Sequence, residues 1–270
     1  MKQTMWKAFF GLVMLMSASQ AVALSPTLPS DGSDIRPAID LAIDALCAPT
    51  STDRTLHLPA GAFNLLTKPK AIPCALTIVG QGKGATRIAR RYPGAWSYMF
   101  MWTRGLDESG GAIRDLSLEA GPGTVGGIAI YVVAVADPNA SSNSLNRHSF
   151  LIDNVHIGRV DGSASWAQGI YLDGYQNPDN SNGIAPGIRG AYVSRTSVSG
   201  TTSASVYLYK ARGVWLEMDC YIPLAPSSSA FVALDGKTQS VRLDTRSCSF
   251  AFVDSQSTGA ILNNVPIGPQ

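Results

Sequence analysis

Two aspartates, Asp173 and Asp235, each followed by a glycine, lead the residues of this chain that could do chemistry. Each stands three positions beyond an apolar residue, Ile170 and Val232, in a short run of alternating apolar side chains. Taking Ile128 and Val206 as the equivalent anchors, the same count reaches Tyr131 and Tyr209. One position beyond each anchor come Ala129, Tyr171, Tyr207 and Ala233. If the four runs stack, their outward side chains form columns of tyrosines interleaved with carboxylates. Such a face offers a sugar flat apolar rings and hydrogen-bond acceptors. Two rungs at strand spacing put Asp173 and Asp235 about 9.6 Å apart. Carboxyls roughly 6.5–9.5 Å apart admit the water of an inverting glycoside hydrolysis. The alternative is that Asp-Gly in both runs is turn chemistry alone.

A second group, Asp153, His156, Arg159 and Asp161, lies within nine residues. His156 alternates with Val155 and Ile157 and so points outward. With Arg159 it could supply the base and the neutralising cation that a lyase needs; a solvated β face is the alternative. Two long polar stretches, Ala136 to Ser149 and Gly174 to Gly187, complete the set. Asn146, Arg147, His148, Tyr175 and Asn177 on them suit hydrogen bonding to hydroxyl-rich ligands. Long structureless connections are usually functional or disordered. His57, His148 and His156 show no metal-ligand spacing, no Gly-Xaa-Ser-Xaa-Gly elbow occurs, and no cofactor motif is found.

These residues sit in a pattern written twice between Ser205 and Cys248. Val206-Tyr-Leu208 leads to Val214-Trp-Leu216, and Val232-Ala-Leu234 leads to Val241-Arg-Leu243. The leading runs lie 26 residues apart and the second ones 27. Alternation marks strands with one buried face, and a fixed period in the twenties marks units that bury that face by stacking. Upstream, Met99 to Trp102, Ile128 and Ile170 extend the leading family, and Ile261 is placed after Val232. Ile113, Ile152, Val193, Leu216 and Leu243 form the second. The alternation changes phase after Asn154, Arg195 and Thr245, which predicts a corner or bulge at each. The two long polar stretches join leading to second strands and so should leave one corner side by side. The predicted fold class is all-β: a single right-handed parallel β-helix (a solenoid) of about six or seven rungs.

The chain's 270 residues are 45% apolar and 15% charged, with net charge +2. That suffices for one elongated domain and gives no field that would gather nucleic acid. Lys2 and Lys7 precede the apolar run Ala8 to Met16, and Ala21-Val22-Ala23 supplies small residues for cleavage. Residues 1–23 therefore read as an export signal, with a retained N-terminal helix as the alternative. The expected destination is secretion or the cell surface, with no membrane contact once the signal is removed. Residues 24–33 read as a linker and 34–270 as the β-helix domain. Export places four cysteines in an oxidising compartment. Their natural partition is Cys47–Cys74 and Cys220–Cys248, the second pair on neighbouring rungs. Inward-facing free thiols are the alternative for Cys220 and Cys248.

Ser33-Asp34 is expected to cap a helix with Ile35, Ile39, Ile43 and Leu46 on one face and Pro37 in its first turn. The helix should end near Cys47. Short strands follow at Thr55–Leu58, Phe63–Leu65, Leu76–Val79 and Thr86–Ile88. Gly80-Gln81-Gly82-Lys83-Gly84 has the glycines of a phosphate cradle, but no Lys-Ser/Thr and no helix follows, so it reads as a turn. The helix ending Ala-Ile-Asp-Leu-Ala-Ile-Asp, then Leu-His-Leu-Pro-Ala-Gly, then Thr-Ile-Val-Gly-Gln-Gly resembles the opening of pectate-lyase-like right-handed parallel β-helix proteins. That superfamily includes polysaccharide lyases, glycosidases and phage tailspikes. The resemblance covers Asp34 to Ile88. It implies a helix capping the N-terminal end of the coil and a polysaccharide or cell-surface glycan as partner. It also implies a rival reading, a non-catalytic, trimeric tailspike-like virion component. Neither the Asn-Thr-Asp, Asp-Asp and Gly-His-Gly series of polygalacturonases nor the lyase arginine signature is present.

Overall fold

The computed structural model describes residues 25–94, 97–104, 110–134, 149–174, 188–221, 231–253 and 255–267. The region expected to be an export signal lies outside these residues. Among them one helix, α1 (Arg36–Leu46), precedes the short strands β1 (Thr55–His57), β2 (Gly61–Leu65), β3 (Thr77–Val79) and β4 (Thr86–Arg90). Longer strands follow: β5 (Tyr98–Arg104), β6 (Ala112–Ala120), β7 (Ile128–Ala134), β8 (Leu151–Arg159) and β9 (Trp166–Asp173). Next come β10 (Ile188–Arg189), β11 (Tyr192–Ser199), β12 (Thr201–Tyr209) and β13 (Ala211–Tyr221). The chain ends with β14 (Phe231–Asp235), β15 (Gln239–Asp244), β16 (Ser249–Phe252), β17 (Thr258–Leu262) and β18 (Val265–Ile267).

Two sheets result. Six strands lie in the order β16-β14-β12-β9-β7-β5, and twelve follow the path β1-β3-β6-β8-β11-β13-β15-β17-β18, with β2, β4 and β10 beside it. From β5 onward the chain passes repeatedly from one sheet to the other, so each strand pairs with the equivalent strand one pass later. Every pair is parallel except β17–β18, which closes the twelve-stranded path as a hairpin. Long strands serve both sides of a bend. The first residues of β6 pair with β3 and its last with β4, and the bend falls at Asp115, whose φ is +59°. Asn154 in β8 and Arg195 in β11 repeat it with φ of +53° and +48°. Asp and Asn tolerate this left-handed region better than most residues, and Asn154 Nδ2 donates to Asp115 Oδ1 at 2.7 Å. The phase changes at Asn154 and Arg195 are therefore corners. At Thr245 the strand simply stops: its hydroxyl accepts from the Ser247 and Cys248 amides before β16 begins.

Inside, the second family stands in file as its spacing predicts. Ile113, Ile152, Val193, Leu216 and Leu243 are successive register partners and all are buried. Each such side chain contributes roughly 1.5–3 kcal/mol on leaving water. The leading family needs two corrections. Ile128 pairs with Gln168, and it is Ile130 that stands against Ile170, followed by Val206 and Val232. Ile128, Ile130 and Val132 share one face, and a two-residue slip keeps every side chain on its face. Ile261 belongs to the other sheet, where it pairs with Arg242; the strand after β14 is β16, with Phe250 beside Val232.

At the start, Ile35, Ile39, Ile43 and Leu46 are buried on one face of the α1 segment, as the spacing predicts. Ile35 occupies the N-cap position without a side-chain bond. Asp34 nonetheless accepts the Arg36 and Leu66 amides at 3.0 Å each, tying the helix start to the end of β2. The glycine turn after β3 gives the Gly80 and Gly82 amides to Arg114 and Asp115 carbonyls of the next rung. A Cβ at Gly80 would collide with the Asp115 carbonyl. Disulfides join Cys47 to Cys74 and Cys220 to Cys248, with Cα atoms 5.5 and 5.0 Å apart.

Candidate functional site

The outward side of the six-stranded sheet carries the tyrosine–aspartate face. Tyr131, Tyr171 and Tyr207 are direct register partners on β7, β9 and β12. The shift of β7 thus moves Tyr131 into the tyrosine column, and Val133 takes the place beside Asp173. Asp173, Tyr209 and Asp235 follow in register as expected. The Tyr131 and Tyr171 rings stack at 4.9 Å and 23°, and Tyr171 meets Tyr207 edge-on at 5.0 Å and 75°. Two of the hydroxyls turn to the acids: Tyr131 donates to Asp173 Oδ2 at 2.9 Å and Tyr207 to Asp235 Oδ2 at 2.6 Å. Burial pushes all three phenols well above the ordinary tyrosine range, so they remain donors.

Asp173 is only 6% exposed, and its Oδ1 has no hydrogen-bond partner among the described residues. Burial raises its pKa, against the opposing pull of the Tyr131 hydrogen bond and the Lys210 charge. Folding thus moves Asp173 toward the protonated form relative to a free carboxyl. Asp235 is half-buried and also accepts the Gly236 amide at 2.7 Å. Gly236 has φ +63°, and a side chain there would meet the Tyr209 ring. Turn chemistry and the column therefore share Asp235. Tyr209 lies between the two aspartates with the Lys210 ammonium 5.1 Å from its ring centre.

Asn146, Arg147, His148, Tyr175 and Asn177 lie outside the described residues. The strands flanking their loops are described: β7 pairs with β9, and β8 with β11. Both long connections thus span neighbouring rungs from one sheet to the other. By contrast, β12 passes to β13 through Lys210 alone.

The second group is not brought together. His156 is half-buried with Nδ1 2.9 Å from Ser197 Oγ, and burial lowers its pKa. The charges that act on it are Glu119, Lys83 and Arg87. Asp153 is held by Arg195, with Nε 2.9 Å from Oδ1, and by Ser194 Oγ at 2.6 Å. Those bonds, led by Arg195, hold its carboxyl below the usual range. Arg159 lies three residues, about 10 Å, farther along the strand, with its stem over Gly200. Asp161 accepts the Ser163 amide and hydroxyl in a turn. Nearness in sequence along an extended strand is not nearness in space.

One surface escaped the sequence reading. On the twelve-stranded sheet Leu151, Tyr192, Trp215, Arg242 and Ile261 stand in register. Trp215 meets Tyr192 edge-on at 5.2 Å and 64°, and the Arg242 guanidinium lies 4.8 Å from its ring. Tyr192 donates to Glu217 Oε2 and Trp215 Nε1 to Asp244 Oδ2, each at 3.0 Å. The legible signal was a tryptophan at the outward position between Val214 and Leu216. Beside the strip opens a groove of about 490 Å³ bordered by Lys83, Arg195, Glu217, Asp219, Asp244 and Arg246.

No known protein family matches the chain, and no curated protein matches its sequence. Among solved structures it is similar to the Streptococcus pneumoniae surface protein and adhesin PfbA, with 11% identity and TM-score 0.38 over 89% of this chain and 83% of that one. It is also similar to ORF18 of Geobacillus virus E2, with 14% identity and TM-score 0.32 over 89% and 59%. The third is the A-module of Azotobacter vinelandii mannuronan C-5 epimerase AlgE4, with 16% identity and TM-score 0.24 over 90% and 91%.

Proposed function

We propose that this chain is an exported right-handed parallel β-helix protein that binds a polysaccharide along its tyrosine–aspartate face and hydrolyses it there. In this reading residues 1–23 direct export, 24–33 are a linker, 34–270 form the coil, and α1 caps its first turn. Two disulfides favour an oxidising compartment. The observation that carries hydrolysis is Asp173, a buried acid biased toward its protonated form, two rungs from Asp235. Asp173 gives its proton to the glycosidic oxygen, and Asp235 takes a proton from the water that attacks the anomeric carbon. The separation of about 9.6 Å by strand spacing sits at the upper edge of the inverting range.

A non-catalytic adhesive or virion component is the second reading. It draws on the contacts of the tyrosine rings with one another, one stacked and one edge-to-face, which cover part of the ring surface that a ligand would use. Reducing ends released from a panel of plant and bacterial polysaccharides separate the two. Under hydrolysis, Asp173→Asn and Asp235→Asn each lower turnover at least about a hundredfold while binding persists. A panel that yields no reducing ends ends the hydrolytic reading. Unchanged retention of Tyr171→Ala/Tyr207→Ala on a glycan array that binds the parent ends the assignment of this face.

A further inference from the structure

The twelve-stranded sheet carries an aromatic ring more open to solvent than the part-buried rings of the tyrosine column. Trp215 is 43% exposed, although Val214 and Leu216 on either side are buried. The ring is fixed nonetheless: Tyr192 stands against it, Arg242 lies over it, and Nε1 is bound to Asp244. Holding a large apolar surface rigid in water gains the fold little, and such a surface suits a flat ligand that also needs polar partners at the ring's edge. Those partners surround it. Glu217 and Asp244 carry acceptor oxygens, and the adjoining groove adds donors from Lys83, Arg195 and Arg246.

Charge narrows the ligand. Lys83, Arg195, Arg242 and Arg246 are opposed by Asp153, Glu217, Asp219 and Asp244, four against four, so the surface has no net charge to select an anion. We propose that Trp215, Tyr192 and the adjoining groove are a second carbohydrate site, one that takes a neutral hexose or pentose chain. A pyranose ring packs on Trp215, its hydroxyls donate to Glu217 and Asp244, and they accept from Lys83 and Arg246. The site lies on a different sheet from the tyrosine–aspartate face, and either can fail alone.

Tryptophan emission tests it: among the described residues Trp102 and Trp166 are fully buried and Trp215 faces solvent, and the difference between parent and Trp215→Phe isolates the Trp215 signal from the chain's other tryptophans. The full chain is titrated with cellohexaose, xylohexaose, mannohexaose and maltohexaose. At least one should quench or blue-shift the emission, with an affinity that changes little from low to high salt. Measured by isothermal titration calorimetry, which does not depend on the indole removed, Trp215→Ala should weaken that binding about tenfold or more, Trp215→Phe should retain part of it, and Tyr171→Ala/Tyr207→Ala should leave it intact. The proposal is overturned if none of the four sugars binds, or if Trp215→Ala binds as well as the parent. Binding confined to acidic glycans or nucleic acid, with steep salt dependence, overturns it equally.

Discussion

The two aromatic files of this molecule use the same chemistry to opposite ends. On the six-stranded sheet, three tyrosines in register meet as one stacked and one edge-to-face pair, and two of them, Tyr131 and Tyr207, give their hydroxyls to Asp173 and Asp235. On the twelve-stranded sheet, tyrosine, tryptophan and arginine follow each other, and the tryptophan keeps solvent on part of its ring. Like residues repeated in register satisfy one another and stabilise the stack. Unlike residues leave a remainder for a ligand. The tyrosine column accordingly offers a ligand an acid and part-buried rings, and the strip offers a more exposed ring.

The largest effect expected from this contrast is on stability. Tyr171 has a ring partner on both sides, so Tyr171→Ala should cost about 2 kcal/mol in denaturant unfolding. A loss below about 0.5 kcal/mol, the usual range of surface changes, would erase the distinction between the files. Next comes the buried acid. Asp173 has a raised native pKa, so its contribution is present below the unfolded value near 3.8 and is lost as pH rises through the native one. Asp173→Asn should therefore stabilise the fold at neutral pH, and the gain should vanish as pH falls toward 4; thermal melts across that range check it. An Asn variant less stable than the parent at pH 7 would show that the carboxylate is accommodated after all. The smallest effect is at Trp215, where alanine should change stability by no more than about 0.5 kcal/mol. A larger loss in the same melts would make the strip structural.

What could be read in advance follows from how each strand is written. Ile152 is flanked by Leu151 and Asp153, and Val193 by Tyr192 and Ser194; one inward apolar residue per strand end leaves one sensible alignment. In β7, Ile128, Ile130 and Val132 all face inward, so alternation leaves three alignments open, and the one anchored on Ile128 lies two residues from the observed register. His156 and Arg159 are close in sequence, while the charges that reach His156, on Glu119, Lys83 and Arg87, come from earlier in the chain and its hydrogen-bond partner Ser197 from later. Trp215 lay in plain view at an outward position. Its partners Tyr192, Arg242 and Asp244 are 23 or more residues away, and nothing local joins them.

By itself the sequence determined faces and punctuation: which side chains turn inward, which segment is the helix, and that the strands break phase at Asn154 and Arg195. These depend on a two-residue or helical period and on residues that tolerate a left-handed backbone, all of them local properties. Tertiary structure alone decided which rung residue lies over which, and so placed the Tyr131 hydroxyl on Asp173 and the Arg242 guanidinium on Trp215. A shift of two residues preserves every face, and only the packing of one complete rung against the next distinguishes the alternatives.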